Sequence, residues 1–163
     1  MVSENSLDIE LNETDLAILR EVQENGRISN VELANRIALS PPATHARLKR
    51  LQAQGFIRQY VALLDQEKMG FDMTCFVNIS LRMHGTEELA GFRASVRKLP
   101  EVLDCYHVTG EFDYLLRIVV RNRKELQRFV EYKLTPIPGV ARIYTSLVLD
   151  EIKSSTALPL SGG

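Results

Sequence analysis

Hydrophobic positions along this chain change their period partway. Over the first third they recur every three or four residues, and further on they alternate. In the helical part, Asn12 and Asp15 open a first helix whose buried face is Leu16, Leu19 and Val22, and Asn25-Gly26 ends it. Ser29 and Glu32 have capping-box spacing at the start of a second, with Val31, Ala34 and Ile37 inward. After Leu39, the pair Ser40-Pro41 supplies a hydroxyl N-cap and a proline at the first helical position. The third helix carries a stripe of Thr44, Leu48 and Leu51 and closes at Gln54-Gly55. The next run, Phe56 to Leu63, has strand composition and is expected to form a wing.

Polar residues 65–72 read as a joint. Beyond it Cys75, Val77, Ile79, Leu81 and Met83 alternate with Phe76, Asn78, Ser80 and Arg82, as in a strand with one buried face. His84-Gly85-Thr86 turns the chain into a helix built on Leu89, Phe92, Val96 and Leu99, stopped by Pro100. Two strands follow, Val102 to Thr109 and Tyr114 to Val120, joined at Gly110-Glu111. Asn122 and Glu125 cap another helix with Leu126, Phe129 and Val130 inward, broken at Pro136-Ile137-Pro138-Gly139 before a last strand, Val140 to Leu149. Leu99-Pro100-Glu101-Val102 and Ile137-Pro138-Gly139-Val140 repeat the helix-to-strand join 38 residues apart.

The expected fold is therefore α+β: an N-terminal winged helix-turn-helix of three helices plus wing, then a ferredoxin-like βαββαβ domain. The expected boundaries are a flexible tail at 1–10, the helical domain at 11–64, a linker at 65–72, the sheet domain at 73–153 and a C-terminal tail at 154–163. A four-stranded sheet with both helices on one side leaves large groups such as Phe76 uncovered, which points to a second copy.

Charge sharpens this picture. Formal net charge is only −1, yet from Leu33 to Leu64 there are five Arg or Lys and no Asp or Glu. A basic helix-turn-helix suits a DNA major groove, with the start of the second helix of the pair at base edges and later cations on the backbone. The expected DNA-facing set opens at Ser40. Pro42, Ala43, His45 and Ala46 face bases, while Arg47, Lys49, Arg50 and Arg58 face phosphates; the alternative for Arg50 is a salt bridge to the first helix. Weak overall charge favours binding as an oligomer, in which several modules add.

Catalysis fits less well. Cys105 and His107 lie two apart on one strand, but no phosphate loop, HExxH or CxxC pattern accompanies them. A core thiol beside a half-buried histidine is the better reading. A zinc site would need three or four clustered ligands, so no metal or cofactor is expected. The two cysteines suit a reduced, cytosolic setting, and no apolar run reaches the roughly 18 residues of a membrane span.

Several motifs resemble the leucine-responsive/asparagine-responsive (Lrp/AsnC) family of prokaryotic transcription regulators. They are Asp15-Leu16-Ala17-Ile18-Leu19, Gly26-Arg27-Ile28-Ser29-Asn30-Val31-Glu32-Leu33-Ala34, Leu39-Ser40-Pro41, Arg47-Leu48-Lys49-Arg50-Leu51, Gly55-Phe56-Ile57 and Gly110-Glu111-Phe112-Asp113-Tyr114-Leu115-Leu116. The resemblance spans Leu11 to Leu160. It implies a DNA-binding domain and a domain that senses small molecules and drives oligomerisation. Dimers assembling into octamers on double-stranded operator DNA, amino-acid effectors, no enzymatic activity, and a cytoplasmic, nucleoid-associated setting are implied too. Pro42, Thr44 and His45 fall where members of the family vary.

An amino acid needs an acceptor for its ammonium and donors for its carboxylate. The hairpin Thr109-Gly110-Glu111-Phe112-Asp113-Tyr114 offers both, and the resemblance points to the same loop, at an interface between dimers. The expected effector set is Val108, Thr109, Gly110, Glu111, Asp113, Tyr114 and, on the last strand, Ser146. Asp113 is expected to take the ammonium and the Gly110 backbone to help hold the carboxylate.

Overall fold

A computed structural model of the chain describes residues 11–82 and 85–160. The expected N-terminal tail at 1–10, Met83 and His84 in the expected strand and turn, and Ser161-Gly162-Gly163 lie outside the described residues. The chain divides into two units. One holds everything up to Leu63 together with the stretch from Lys153 on; the other runs Leu64–Ile152.

The first unit contains α1 (Glu13–Glu24), α2 (Asn30–Arg36) and α3 (Pro41–Ala53). A complete capping box starts α1: Asp15 N–H donates to Asn12 Oδ1 at 3.0 Å, and Asn12 N–H to Asp15 Oδ2 at 3.4 Å. At α2 only half the box forms. Ser29 Oγ accepts from Glu32 N–H, while the Glu32 carboxylate turns to Arg36. The interior is Ile18, Leu19, Val22, Leu33 and Leu51, with Ile28, Ile37, Leu48, Ile57 and Leu160 against it. Val31 does not join them; it is 59% exposed. In so short a helix the inward face is set by Leu33 and Ala34, and Val31 lies off it. Between α2 and α3 the chain reverses through Ala38 at φ 54°, a left-handed conformation that costs an alanine energy. Asn30 Nδ2 donates to Pro41 O across this turn at 2.9 Å.

The wing strand expected at residues 56–63 is not formed. After Phe56 N–H donates to Leu51 O, no residue up to Asp72 belongs to a strand. Strand composition alone makes no ladder; a second strand must supply the hydrogen bonds, and this unit has none among the described residues. Tyr60 instead folds back over Gly26, where a Cβ would come within 3.1 Å of its ring, and its hydroxyl accepts from Gln52 Nε2. The final segment is likewise no loose tail as far as Leu160. Gln23 exchanges two hydrogen bonds with the Leu158 backbone, Arg20 Nε donates to Leu160 O at 2.8 Å, and the Leu160 side chain packs on the helical core.

The second unit runs β1 (Met73–Leu81), α4 (Thr86–Val96), β2 (Val102–His107), β3 (Tyr114–Val120), α5 (Arg123–Arg128), a π-helical turn (Phe129–Leu134) and β4 (Val140–Leu147). The sheet is antiparallel with order β2-β3-β1-β4, the ferredoxin-like arrangement. Cys75, Val77 and Ile79 oppose Ile118, Leu116 and Tyr114, and this face packs on Phe92, Val96, Phe129 and Leu134. The other face carries Phe76, Asn78, Leu115, Arg117, Tyr106 and Tyr144, and among the described residues of this unit no helix packs on it. The stretch expected to be a linker belongs to this unit: Gln66 Nε2 donates to Phe71 O and Thr74 Oγ1.

Candidate nucleic-acid interface and effector hairpin

The start of α3 is presented as the sequence predicts. Ser40 Oγ accepts from Ala43 N–H at 3.4 Å, and Pro41 occupies the first helical position. Thr44 and Leu51 are buried, and Thr44 Oγ1 donates back to Ser40 O, which rotates Pro42, Ala43, His45 and Ala46 to the surface. Lys49 and Arg58 are exposed and make no ion pair with the described residues.

Two of the expected phosphate contacts are engaged inside the chain instead. Arg47 Nη1 donates to Asp15 Oδ1 at 3.1 Å, and Arg50 Nη2 to Asp15 Oδ2 at 2.5 Å. Asp15 is fully buried in α1, so its charge has to be neutralised, and these two guanidinium groups do it. Arg47 and Arg50 therefore bind α3 to α1. Arg36 is also spent, between Glu21 and Glu32, which hold its guanidinium above its ordinary pKa through hydrogen bonds and charge. Three of the five cations in the acid-free window thus balance acids placed earlier in the chain or on α2.

At the hairpin, Gly110 takes φ 122°, a backbone reserved for glycine, and Val108 N–H donates to Asp113 O. Thr109, Gly110 and Glu111 are exposed, and Val108 is half-buried. Asp113 is tied to β1 on both sides: its N–H donates to Ile79 O, and its Oδ2 accepts from Leu81 N–H at 2.7 Å. Its carboxylate locks the hairpin to the central strand.

Tyr114 is corrected outright. It is buried between the rings of Phe92 and His107, with centroids 4.5 and 4.9 Å away, and its hydroxyl accepts from Arg93 Nε. Its ring belongs to the core, with no surface for an effector. Ser146 is exposed but pairs with Phe76, three positions along β1 from Ile79, where the hairpin meets the sheet. That is roughly 10 Å along the strand. The β4 residues that reach the hairpin are Arg142, in an ion pair with Glu111 and over the Phe112 ring, and Tyr144, whose ring is 6.2 Å from Phe112. Alternation on β4 could have suggested them, since Arg142, Tyr144 and Ser146 share a face.

The catalytic alternative weakens further. Cys105 is exposed rather than a core thiol, and desolvation raises its pKa, opposed only in part by Arg93. A raised thiol is a poorer nucleophile at neutral pH. Among the described residues no group of three acidic, His or Cys side chains could hold a metal ion. No helix among them is long and apolar enough to cross a membrane.

Comparison with known proteins agrees with this arrangement. Residues 11–58 match a winged helix-turn-helix DNA-binding family model, and residues 74–158 match the Lrp/AsnC ligand binding domain. The chain is 39% identical to the leucine-responsive regulatory protein of Salmonella typhimurium over 149 residues, 91% of each chain. It is 35% identical to the transcriptional regulator AzlB of Bacillus subtilis, covering 94% of this chain and 98% of that one. Among solved structures, a transcriptional regulator of Neisseria meningitidis in complex with L-Met superposes with a TM-score of 0.90 at 44% identity, covering 93% of this chain and 97% of that one. An AsnC family regulator of Agrobacterium tumefaciens gives 0.88 at 33%, covering 92% and 97%. With both halves matched, in order and over nearly the whole length, the chain belongs to the Lrp/AsnC family.

Proposed function

We propose that this protein is a sequence-specific DNA-binding transcription regulator, not an enzyme, that acts in the cytoplasm at the nucleoid. Its assembly and DNA binding respond to a small-molecule effector, an amino acid. The observation that carries this reading is the exposed first half of α3, with Pro42, Ala43, His45 and Ala46 on one surface and Lys49 and Arg58 unpaired with described residues. Those four face base edges, Ser40 frames the helix start, and Lys49 and Arg58 contact phosphates. Arg47 and Arg50 serve chiefly to orient α3.

The effector is held at the hairpin. Backbone N–H groups around Gly110 bind its carboxylate, Asp113 shares an acceptor with its ammonium, and Val108, Thr109 and Glu111 shape the walls. The L-Met seen with the Neisseria relative supports an amino acid as the class. The uncovered sheet face, with Phe76, Tyr106 and Tyr144 exposed, supports a homodimer, and the hairpin then lies where dimers meet in an octamer.

Selection of bound duplexes from random DNA, with and without a panel of amino acids, tests both parts. A recovered consensus that shifts in affinity with one amino acid is the expected result. Binding that ignores sequence, or that no amino acid alters, refutes the corresponding half.

A further inference from the structure

The sheet unit holds a hollow at the end opposite the hairpin. Its volume is about 690 Å³, within the range typical of small-molecule sites. Val120 at its edge lies six steps along β3 from Tyr114 at the hairpin, roughly 20 Å of strand, so this is a separate place.

Three features give the hollow a chemistry. Its apolar floor is formed by Phe71, Val119 and Phe129. Its cations are Arg121, whose guanidinium lies 5.7 Å over the Phe71 ring, and Arg128, which makes no ion pair with the described residues. Glu125 also lines the hollow and accepts the Arg121 backbone N–H; its charge offsets one of the two guanidinium groups and leaves one in excess. Finally, Glu101 brings a carboxylate of which only one oxygen is used. Lys133 donates to Oε1, while Oε2 is closed off from solvent and has no hydrogen-bond partner. The wall carrying Phe129 and Lys133 is the π-helical turn, a wide turn that recurs at functional sites.

We infer that this hollow is a second ligand site, for a small carboxylic acid that has an apolar side chain and an N–H or O–H donor beside the carboxylate. The apolar group rests on Phe71, Val119 and Phe129. The carboxylate meets Arg121 and Arg128, and the donor turns to the Glu101 side chain that lines the hollow. A 2-amino acid and a 2-hydroxy acid share this chemistry. The inference rests on the hollow's own residues and not on the hairpin.

Met69 also lines the hollow and can report on it. Full-length protein carrying [13C]methyl-methionine is titrated with L-phenylalanine, L-3-phenyllactate and 3-phenylpropionate, which lacks the donor. The expected result is a saturable shift of the Met69 methyl with one of the first two. 3-Phenylpropionate, and the better ligand with Arg128→Gln, should each bind about tenfold more weakly, because each loses a hydrogen bond to a charged group. Leu103→Trp, on the exposed rim, should block the shift. Which of the two ligands prevails tells whether the donor is N–H or O–H. A Met69 methyl that none of the three moves overturns the inference, as does binding that Arg128→Gln and Leu103→Trp leave unchanged. Thr109→Trp at the hairpin separates the two sites. The Met69 shift should survive it, and a shift it abolishes overturns the second site. Failure of the hairpin reading shows elsewhere, as DNA binding that every amino acid leaves unaltered.

Discussion

Replacing Arg50 by methionine should weaken the helical unit without changing how it grips phosphates. Methionine keeps an apolar stem on the helix and removes the charge. Asp15 is left with Arg47 at 3.1 Å as its remaining cation, and its own side chain is only 1% exposed. Stripping all partners from a buried charge costs about 3–5 kcal/mol. One partner stays, and Arg50 itself is 43% exposed, so its guanidinium is partly hydrated and the loss is smaller. About 1–2 kcal/mol follows, a fall in melting temperature of roughly 4–16 °C for a unit of this size. The double variant Arg47→Met/Arg50→Met should reach the full cost and exceed the sum of the singles, since each arginine covers for the other. The assay pairs thermal unfolding with duplex binding across a salt series. Arg50→Met should keep the wild-type slope of log affinity against log salt. Lys49→Gln should do the reverse, holding stability within about 0.5 kcal/mol while the slope drops by about 0.9 per bound head. An Arg50→Met protein that melts with the wild type and loses that slope would refute the reasoning and return Arg50 to the backbone of the duplex.

Other outcomes are expected from the same structure. Ala38→Gly should raise stability by about 0.5–1 kcal/mol, because glycine removes the left-handed strain at φ 54°; urea midpoints decide it. Ending the chain at Thr156 removes the Leu160 contact and the hydrogen bonds to Arg20 and Gln23, and should cost the helical unit about 1–3 kcal/mol, read by thermal unfolding. His45→Ala should change the selected consensus while leaving the salt slope intact, checked on the same random-DNA selection. Burial holds the Cys75 thiol above its ordinary value of 9.0, which favours the neutral form in the folded protein. Its contribution is complete at neutral pH and is lost as pH rises past the folded pKa, so Cys75→Ala should flatten the alkaline loss of stability in unfolding curves taken on the basic side of 9.0.

Local signals in the chain were read correctly where the forces were local. The Asn12 and Ser40 caps, the Thr44–Leu51 stripe and the alternation along β1 depend on neighbours within a few residues, and the structure has them as expected. What the chain alone did not show turns on partners far away in sequence. Arg47 and Arg50 read as phosphate contacts, and the acid they neutralise sits 32 and 35 positions earlier. For Asp113 the Leu81 N–H that its carboxylate accepts from is 32 positions off. Tyr114 falls in phase with the apolar Leu116, Ile118 and Val120, a sign of burial that was passed over, and the pairing of β3 with β1 and β2 sets its ring beside Phe92 and His107. Residues 56–63 form no strand for the same reason, strand composition without a pairing partner among the described residues. The hollow at Glu101 had no signature at all, being assembled from residues 64–71, β2, β3 and the π-helical turn.

The return of Leu158 and Leu160 to α1 makes the helical unit discontinuous in the chain, with the sheet interpolated inside it. A ribosome releases the three helices first and their last packing piece only after the whole sheet unit. Until then α1 shows a raw apolar seam, so the nascent DNA-binding head is assembled before it is sealed. Any premature stop after the sheet leaves a protein that senses but whose reading head stays open.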